Sequence, residues 1–336
     1  MSKRGVLLVN LGSPKSPKLS DVKKYLNEFL MDPFVLDMPW LKRRWVVSLF
    51  ILPFRPKKTA AAYEEIWQTD GSPLISMGQR VTTLLSQKVS CPVQLAMRYG
   101  DPSIHSGLRE WVAEGVTDVL VIPLYPHYAM SSYKTVVEKV KTEAANLSQS
   151  ITVSFINPFF DDPDYIRALV DTVESRLGPD VDHLLFSYHG LPERHLKKTD
   201  PTGSHCLVQS NCCNTPSKAH ETCYRHQVFS TTNRVVERLK RKVPWSVSFQ
   251  SRLGRDPWLK PSTEEHISAL ARQGIKHLVV VSPSFVADCL ETIEELGIRG
   301  KEIFKSQGGE VYTLVPCLND HPIWIDALVK FCGYKL

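Results

Sequence analysis

The sequence predicts an α/β fold with two lobes, each built on a mainly parallel sheet that is flanked by helices. Short apolar strands alternate with helical stretches along the chain, which is the pattern of βαβ units. This pattern restarts at His183, and 336 residues exceed what one hydrophobic core usually holds. We therefore expect an N-terminal lobe over residues 1–160 and a C-terminal lobe over residues 161–336, with a cleft between or beside them.

The first lobe opens with an apolar strand at residues 6–10. The loop after this strand lacks the Gly-x-Gly-x-x-Gly pattern of dinucleotide-binding enzymes, so we expect no nucleotide cofactor. Ser20 is the predicted N-cap of a helix that ends at Asp32-Pro33, because apolar residues recur between them with helical spacing. The other predicted elements of this lobe are strands at 93–99, 116–125 and 151–156 and helices at 60–67 and 131–147.

The second lobe is similar in plan to the first. A helix at 163–177 precedes the apolar run that starts at His183. Further strands are predicted at 245–249, 277–282 and 311–315, with helices between them. A last helix, within residues 320–332, has an apolar face and is expected to pack back on the first lobe.

The composition is that of an ordinary globular protein, with 43% hydrophobic and 23% charged residues, which excludes a largely disordered chain. The net charge of +6 is spread along the chain, which argues against nucleic acid as the partner. No apolar run is long enough to span a bilayer, and the start of the chain does not resemble a signal peptide. We therefore expect a cytoplasmic protein, with membrane association as an open alternative.

Residues 38–54 are unusually rich in apolar and aromatic side chains and contain the basic triplet 42–44. One interpretation is a core helix with a charged outer face. The other is an amphipathic lip that opens an apolar pocket and contacts a membrane surface, where Trp and Arg are both stable.

Two sets of side chains are candidates for chemistry. His189 ends an apolar strand just before the Gly190 turn, where loops line the crevice of an α/β sheet, although such a histidine is also common as a simple turn residue. Asp288, Glu291 and Glu295 fall on one stripe if this segment is an α-helix. A stripe of this kind is usually a solvated surface.

Four of the eight cysteines lie between Cys206 and Cys223, within a polar segment at residues 204–224. In a cytoplasmic chain this density indicates a metal site rather than disulfides. The segment lacks Cys-x-x-Cys, which favours an iron–sulfur cluster over zinc, while structural zinc and redox-active thiols stay open.

Three segments carry a family resemblance. Phe186-Ser-Tyr-His-Gly-Leu-Pro192 resembles the active-site signature of ferrochelatases, which insert ferrous iron into a porphyrin. Asp288-Cys-Leu-Glu-Thr292 resembles their second signature, and Gln250-Ser-Arg-Leu-Gly254 with Pro257-Trp-Leu259 resembles a third segment. The sequence departs from an Arg-Tyr-x-His-Pro pattern at Arg98-Tyr-Gly-Asp-Pro102, and many relatives have histidine where this chain has Cys289, so these differing positions receive no role.

The resemblance implies a chelatase fold of two Rossmann-like lobes and a lip, residues 38–54, that gates a flat, water-insoluble substrate. It implies that His189 and Glu291 are catalytic and face each other across the porphyrin. The iron substrate would be handled by His189, Glu291, Asp288 and Glu295. The porphyrin would be bound by Leu11, Arg55, Ser72, Arg98, Tyr99, Tyr125, Trp258 and Phe285.

Some microbial members of this family carry an internal cysteine segment that binds a [2Fe-2S] cluster, and residues 204–224 resemble it. The ligands would then be Cys206, Cys212, Cys213 and Cys223. Their position just after the His189 turn favours a stabilising or sensing role over direct electron transfer.

The implied function is insertion of Fe²⁺ into protoporphyrin IX to give protohaem, the terminal step of haem biosynthesis, with release of two protons. A bent macrocycle would expose its nitrogen lone pairs, and His189 would act as proton acceptor or as iron ligand. Coproporphyrin III as substrate, or a non-catalytic haem or iron–sulfur binding protein on the same fold, are the alternatives. The sequence carries no information on the oligomeric state.

Overall fold

The computed structural model describes residues 3–147, 151–252 and 256–333. The chain forms two compact units. The first contains the residues up to Tyr125, residues 130–157 and the chain from Ile325 onward, and the second contains Pro126–Ala129 and Pro158–Trp324. Leu253 and Gly254 of the third family-like segment lie outside the described residues.

The first unit is built on a four-stranded parallel sheet in the order β2-β1-β3-β4. The strands are β1 (Arg4–Gly12), β2 (Val93–Tyr99), β3 (Asp118–Pro123) and β4 (Thr152–Phe155). The central strand is a continuous apolar run, with Val6 to Val9 fully buried, because helices cover both faces of a parallel sheet.

Up to Asn157, the described residues of this unit form six α-helices. They are α1 (Leu19–Leu30), α2 (Trp40–Val46), α3 (Arg55–Ile66), α4 (Pro73–Ser86), α5 (Ile104–Ala113) and α6 (Thr135–Ala145). Short π-helical turns at Val47–Ile51 and Met130–Lys134 extend α2 and precede α6. The predicted N-cap at Ser20 is wrong, because α1 already begins at Leu19 and the Ser16 hydroxyl, which donates to Asp21 at 2.6 Å, organises its first turn.

The second unit has a four-stranded parallel sheet in the order β6-β5-β7-β8. Its strands are β5 (His183–His189), β6 (Trp245–Gln250), β7 (His277–Val281) and β8 (Val311–Leu314). Its helices are α7 (Pro163–Glu174), α8 (Glu193–Thr199), α9 (Tyr224–Arg238), α10 (Thr263–Arg272) and α11 (Lys301–Ser306), followed by α12 (Pro322–Phe331), which the unit boundary divides after Trp324.

Both units therefore have the same strand order, and the predicted fold class of two parallel α/β lobes is confirmed. In each unit the second strand lies on one side of the first strand and the third strand on the other. The chain leaves β1 toward β2 on one side and leaves β3 toward β4 on the other side, and β5 and β7 behave in the same way. Connections that diverge between two neighbouring strands open a crevice at the carboxyl ends of these strands. His189 is the last residue of β5, so it lies at this point of the second unit.

Among the described residues, no helix combines the length and the apolar content needed to cross a bilayer.

Candidate active site

The backbone and ring of His189 are held by three neighbours. Its N–H donates to Ser284 Oγ at 3.1 Å, and its carbonyl accepts the Tyr224 hydroxyl at 2.8 Å. Its ring Nδ1 lies 2.7 Å from the carbonyl oxygen of Gly190. Because a carbonyl oxygen can only accept, Nδ1 carries the ring proton, and the lone pair of the neutral imidazole is on Nε2. Nε2 is therefore the atom that can accept a proton or bind a metal.

The turn after His189 passes unusually close to its neighbours. A Cβ atom on Gly190 would lie 2.7 Å from the Gln250 carbonyl oxygen and 3.1 Å from the Trp258 ring. The Gly190 N–H donates to that same carbonyl at 2.8 Å, and the Leu259 N–H donates to Leu191 at 3.1 Å. Only glycine fits at this position, and the contact fixes the Trp258 ring beside the turn.

The loop after β7 meets the end of β5, as expected for a switch point. The Ser282 hydroxyl donates to the Ser187 carbonyl at 2.8 Å, and Ser284 accepts from His189. The centre of the Phe285 ring lies 6.2 Å from the centre of the His189 ring. The structure thus brings Trp258 and Phe285, two predicted porphyrin contacts, next to the predicted catalytic histidine.

The acidic segment that follows is a π-helix at Glu291–Gly300, and the predicted α-helical stripe is therefore wrong. A π-helix has i→i+5 hydrogen bonds and a wider turn, so neighbours on one face differ from those in an α-helix. Glu291 and Glu295 lie close enough for the charge of one to affect the other. Glu294 instead pairs with Arg299 at 2.5 Å.

Gln250, at the end of β6, connects this helix to β5. Its side-chain Nε2 donates to the Glu291 carbonyl at 2.9 Å, and its Oε1 accepts from the Ser187 hydroxyl at 3.0 Å. The side chain is almost fully buried. This bridge fixes the start of the acidic helix relative to the strand that carries His189.

Glu295 has an unusual protonation behaviour for a carboxyl group. Burial is the main cause that raises the pKa of Glu295 to about 7, and the negative charge of Glu291 is the second. The Ser251 hydroxyl, which donates to Glu295 at 2.5 Å, lowers the pKa in part. Ser251 has a φ of 65°, a left-handed conformation that is costly for a residue other than glycine. A carboxyl group with this pKa gains and loses protons readily at neutral pH.

Asp288 precedes the π-helix and is engaged in holding its loop. The carboxylate accepts from Asn319 Nδ2 at 2.6 Å, from the Thr292 hydroxyl at 3.0 Å and from the Cys317 N–H at 3.3 Å. These donors occupy its oxygens and tie the loop to the segment after β8. The structure therefore does not place Asp288 on a common stripe with Glu291 and Glu295.

Arg55 in the first unit has the property expected of an anion-binding residue. It is the first residue of α3, and one terminal nitrogen, Nη1, is buried without a hydrogen-bond partner among the described residues. A buried cationic nitrogen is stable only when an anion or an acceptor completes it. A carboxylate of a ligand would supply this partner.

Two of the predicted porphyrin contacts, Tyr99 and Ser72, are buried in the first unit. Tyr99 has no exposed surface and donates its hydroxyl to Asp32 at 2.8 Å, while Arg98 forms an ion pair with the same carboxylate. Ser72, directly before α4, is 4% exposed. Tyr99 and Ser72 therefore offer almost no surface to a ligand, whereas Leu11 and Tyr125 are partly exposed at the carboxyl ends of β1 and β3.

Comparison with known proteins identifies the family. The family model for ferrochelatase matches residues 3–335. The chain belongs to the ferrochelatase family. It is 48% identical over 335 residues to the ferrochelatase of Pseudomonas fluorescens (strain SBW25), covering 99% of this chain and 98% of that protein. The ferrochelatase of Opitutus terrae is 50% identical over 334 residues, covering 98% and 97% of the two chains.

Ferrochelatases insert ferrous iron into protoporphyrin to form haem, and the family and activity predicted from the sequence are confirmed. Iron and porphyrin are thus the substrates. Among solved structures, SirB from Bacillus subtilis with Fe³⁺ aligns with a TM-score of 0.55 at 17% identity, covering 98% of this chain and 94% of SirB. At this level of identity the likeness concerns the fold alone.

The lip of this ferrochelatase is exposed, so the core-helix interpretation of residues 38–54 is wrong. Val47 and Leu52 are buried, but six other large apolar side chains of the lip are between 53% and 73% exposed, and they are Trp40, Leu41, Trp45, Leu49, Phe50 and Phe54. Arg43 points inward and donates to the carbonyls of Leu36 and Met38. Lys42 and Arg44 are exposed beside the apolar side chains. Exposed apolar side chains on an ordinary protein surface are scattered singly, whereas these six lie within 15 consecutive residues.

The cysteine segment is organised by a single carboxylate, Asp200, which precedes it. Asp200 accepts from the N–H groups of Thr202, His205 and Cys206, each at 2.8 Å. Although burial acts against them, these hydrogen bonds hold the pKa of Asp200 well below its ordinary value. The bonds fold the segment into a compact loop that directs Cys206 inward.

The four cysteines of this segment lie together. Cys206, Cys212 and Cys223 are buried, and Cys213 is partly exposed. The thiols of Cys206 and Cys213 both contact the sulfur of Cys223, and the contact with Cys213, followed by backbone N–H groups at the start of α9, lowers the pKa of Cys223 to about 5. Of the neighbouring thiols, that of Cys223 is thus the one whose environment favours the thiolate, the form that binds metals.

Three imidazoles surround the Cys212-Cys213 turn. His205 and His220 each have Nε2 within 2.8 Å of the Cys212 carbonyl, and His226 Nδ1 lies 2.7 Å from the Cys213 carbonyl. The rings of His220 and His226 stack with centres 3.6 Å apart. No group of three or more His, Cys, Asp or Glu side chains in the described ranges is arranged as ligands of one metal ion. The donor chemistry, four cysteine thiols close together, still fits an iron–sulfur cluster.

Four residues that position the site received no role from the sequence. Gln250 holds the Glu291 carbonyl, Ser251 the Glu295 carboxylate, and Ser284 and Tyr224 the backbone of His189. Each follows or ends a strand or begins a helix near the switch point. Polar residues at strand ends and, for Gln250 and Ser251, the family-like segment 250–254 are the sequence signals that could have indicated them.

Proposed function

We propose that this ferrochelatase uses Nε2 of His189 to accept pyrrole protons while Fe²⁺ enters the porphyrin ring. The observation that carries the proposal is the Nδ1 contact with the Gly190 carbonyl, which leaves the lone pair on Nε2. Free-base protoporphyrin has two N–H protons, and both must leave when the divalent ion binds the four nitrogens. An imidazole is suited to this transfer because its pKa in water is near neutral.

Glu291 and Glu295 handle the ion and the protons on the acidic side of the site. Carboxylate oxygens are suitable transient ligands for Fe²⁺, since they bind it without the strong retention that thiolates would give. Glu295, with a pKa of about 7, accepts protons and passes them to solvent at neutral pH. Asp288 keeps the loop in place through Asn319 and Thr292 and acts as a positioning residue.

The porphyrin is bound by apolar faces and a cationic edge. Trp258 and Phe285, which lie beside His189, contact the porphyrin ring. Leu11 and Tyr125 supply further apolar surface for it. Arg55 binds a propionate through Nη1, which no group in the described part of the chain hydrogen-bonds. Asp32 neutralises the charge of Arg98, so Arg98 supports the site rather than binding the substrate charge.

The experiment that tests this function is anaerobic metallation of protoporphyrin IX with Fe²⁺ by the purified protein, followed by the loss of porphyrin fluorescence. Turnover with release of about two protons per haem is the expected result. A protein that binds porphyrin or haem without turnover would be a carrier instead.

Glu295→Gln should change stability and activity in opposite directions. The folded-state pKa of about 7 lies above the ordinary value of 4.5, so the wild-type protein loses stability as pH rises from 4.5 to 7. Above this window the variant should be more stable by roughly 2–3 kcal/mol, and below it the two should be equal. Metallation by the variant should fall, because the amide cannot carry protons.

Urea unfolding at a series of pH values checks the Glu295→Gln expectation. Glu302→Gln, at an exposed position, is the control and should show no pH-dependent difference. A constant stability difference at all pH values for Glu295→Gln would contradict the assigned protonation behaviour.

We also propose that Cys206, Cys212, Cys213 and Cys223 hold a [2Fe-2S] cluster. The mutual contacts of the thiols and the thiolate of Cys223 support it. Such a cluster would supply a redox-sensitive crosslink within the segment. Structural zinc is the alternative metal for the same four side chains.

The cluster proposal predicts a reddish protein with visible charge-transfer absorption and bound iron and sulfide. Cys206→Ser should abolish the colour, whereas Cys91→Ser, at a thiol outside the segment, should leave it unchanged. Metal analysis and visible spectra of anaerobically purified protein measure this. A colourless protein with stoichiometric zinc would contradict the cluster.

The exposed lip supports a proposal of peripheral membrane contact by a cytoplasmic protein. All eight cysteines are free, which is typical of a reducing compartment. Exposed aromatic side chains flanked by Lys42 and Arg44 suit the interface of an anionic membrane, from which an insoluble porphyrin could be taken.

Trp45→Ser and Phe50→Ser should each weaken binding to vesicles that contain anionic phospholipid, by roughly tenfold, because each removes a large apolar side chain from the contact. Co-sedimentation with vesicles measures the effect. Leu19→Ser, at another exposed apolar position, is the matched control. Equal binding of all variants and the wild type would exclude the lip as a membrane contact.

A further inference from the structure

Tyr224 connects the cysteine segment to His189. It is the first residue of α9 and directly follows Cys223, which is the residue before that helix. Its side chain is 5% exposed, and its hydroxyl donates to the His189 carbonyl at 2.8 Å. One side chain thus joins two parts of the molecule that are 35 residues apart in sequence.

The backbone of His189 depends on side chains on one side. Pairing of β5 with β6 continues to His189 itself, but pairing with β7 ends at Phe186 and Val281. On the β7 side, the His189 N–H donates to Ser284 Oγ at 3.1 Å, and its carbonyl accepts from Tyr224. The Tyr224 hydroxyl also interacts with Ser284. Ser284 and Tyr224 therefore replace the missing strand contacts.

The Tyr224 ring is held firmly enough to act in this way. The His127 ring packs edge-on against both Tyr188 and Tyr224, with centres 5.4 and 5.8 Å apart. The Tyr188 hydroxyl lies 2.8 Å from the hydroxyl of Thr232, which follows Tyr224 by eight residues in α9. The start of α9 is thus packed against the strand that carries His189.

The first turn of α9 is also bound to the Cys223 sulfur. Backbone N–H groups of Arg225 and His226 point to this sulfur. Tyr224 lies between these bonds and the His189 carbonyl, to which its hydroxyl donates.

We propose that Tyr224 is a positioning residue that fixes the backbone of His189 and couples the cysteine segment to the reaction site. The coupling rests on the proposed function of His189. It gives the cysteine segment a structural path to the reaction that requires no electron transfer. The path consists of Cys223, Tyr224 and His189.

Tyr224→Phe tests the positioning role, and Tyr133→Phe is the matched control. Both remove one hydroxyl from a buried tyrosine, but that of Tyr133 donates to the Ile156 carbonyl rather than to His189. Tyr224→Phe should lower kcat for metallation by roughly ten- to a hundredfold with little change in KM for porphyrin. Tyr133→Phe should lower the melting temperature to a similar extent and leave kcat near wild type.

Hydrogen exchange gives a readout that does not depend on activity. Peptides that contain residues 184–193 should exchange faster in Tyr224→Phe than in Tyr133→Phe, because His189 and Gly190 lose an anchor. Cys206→Ser as a single substitution should also make the peptides with residues 184–193 exchange faster, and it should lower kcat. In a Tyr224→Phe background, Cys206→Ser should add little to either effect. If Cys206→Ser does not fold, Cys213→Ser, at the partly exposed thiol, replaces it.

The outcomes separate the two proposals. If His189→Ala abolishes metallation but Tyr224→Phe has the kcat and exchange of the wild type, the positioning role is wrong and the function of His189 stands. Additive effects of Cys206→Ser and Tyr224→Phe would refute the coupling. If His189→Ala metallates normally, the proposed function itself fails, whatever Tyr224 does.

Discussion

Replacing His189 by alanine should reduce metallation of protoporphyrin IX by roughly a hundred- to ten-thousandfold, the usual range for removing a group that transfers protons. Nε2 carries the lone pair of the neutral ring at the end of β5, because Nδ1 donates to the Gly190 carbonyl. Porphyrin binding should change little, since the neighbouring Trp258 and Phe285 rings supply apolar contact that the substitution leaves in place. Initial rates with Fe²⁺ and fluorescence titration with the porphyrin alone measure the two effects.

His105→Ala is the control for this experiment, because His105 is on the surface and bonds to Glu143. It should retain wild-type turnover. A His189→Ala protein with normal rates would remove the imidazole from the reaction. A parallel loss of porphyrin binding would indicate that the substitution had damaged the pocket rather than the chemistry.

Glu291→Gln should have the second largest effect, a loss of roughly a hundredfold in turnover with porphyrin binding retained. The amide has the same shape as the carboxyl group but neither binds Fe²⁺ as well nor carries a proton. The Gln250 bond to Glu291 uses the backbone carbonyl, so the substitution leaves the start of the π-helix in place. The dependence of the rate on Fe²⁺ concentration separates weaker iron binding from slower proton transfer.

Glu294→Gln is a demanding comparison for Glu291→Gln, because both residues belong to the same helix. Glu294 is paired with Arg299, and its loss should affect stability more than turnover. Equal turnover losses in the two variants would mean that the acidic helix acts through its total charge, and the specific role of Glu291 would then be wrong.

The bounds of helices and strands could be predicted closely where polar residues interrupt the apolar pattern at both ends of an element. The strand at 93–99 has the predicted bounds and the helix at Pro322–Phe331 lies within the predicted residues 320–332, because breaks in polarity flank each apolar pattern. The π-helices could not be predicted, since apolar periodicity was interpreted with the α-helical repeat. A π turn is favoured by packing around it, as at Glu291–Gly300, where the Gln250 side chain holds its first residue.

The candidate site could be predicted only in part, for a related reason. His189 stands at a strand end and within a recognisable signature, so its position was visible in the sequence. The residues that hold it come from distant parts of the chain, such as Ser284, 95 positions away. Likewise, Arg98 is neutralised by Asp32, 66 positions earlier, and no local pattern indicates that pair.

The most direct measurement is a crystal structure of the protein with iron-free protoporphyrin IX bound. The account predicts that Nε2 of His189 points at a pyrrole nitrogen within hydrogen-bonding distance on one face of the ring, with the Glu291 carboxylate on the opposite face. A porphyrin bound with both side chains on one face, or with neither near its nitrogens, would contradict it.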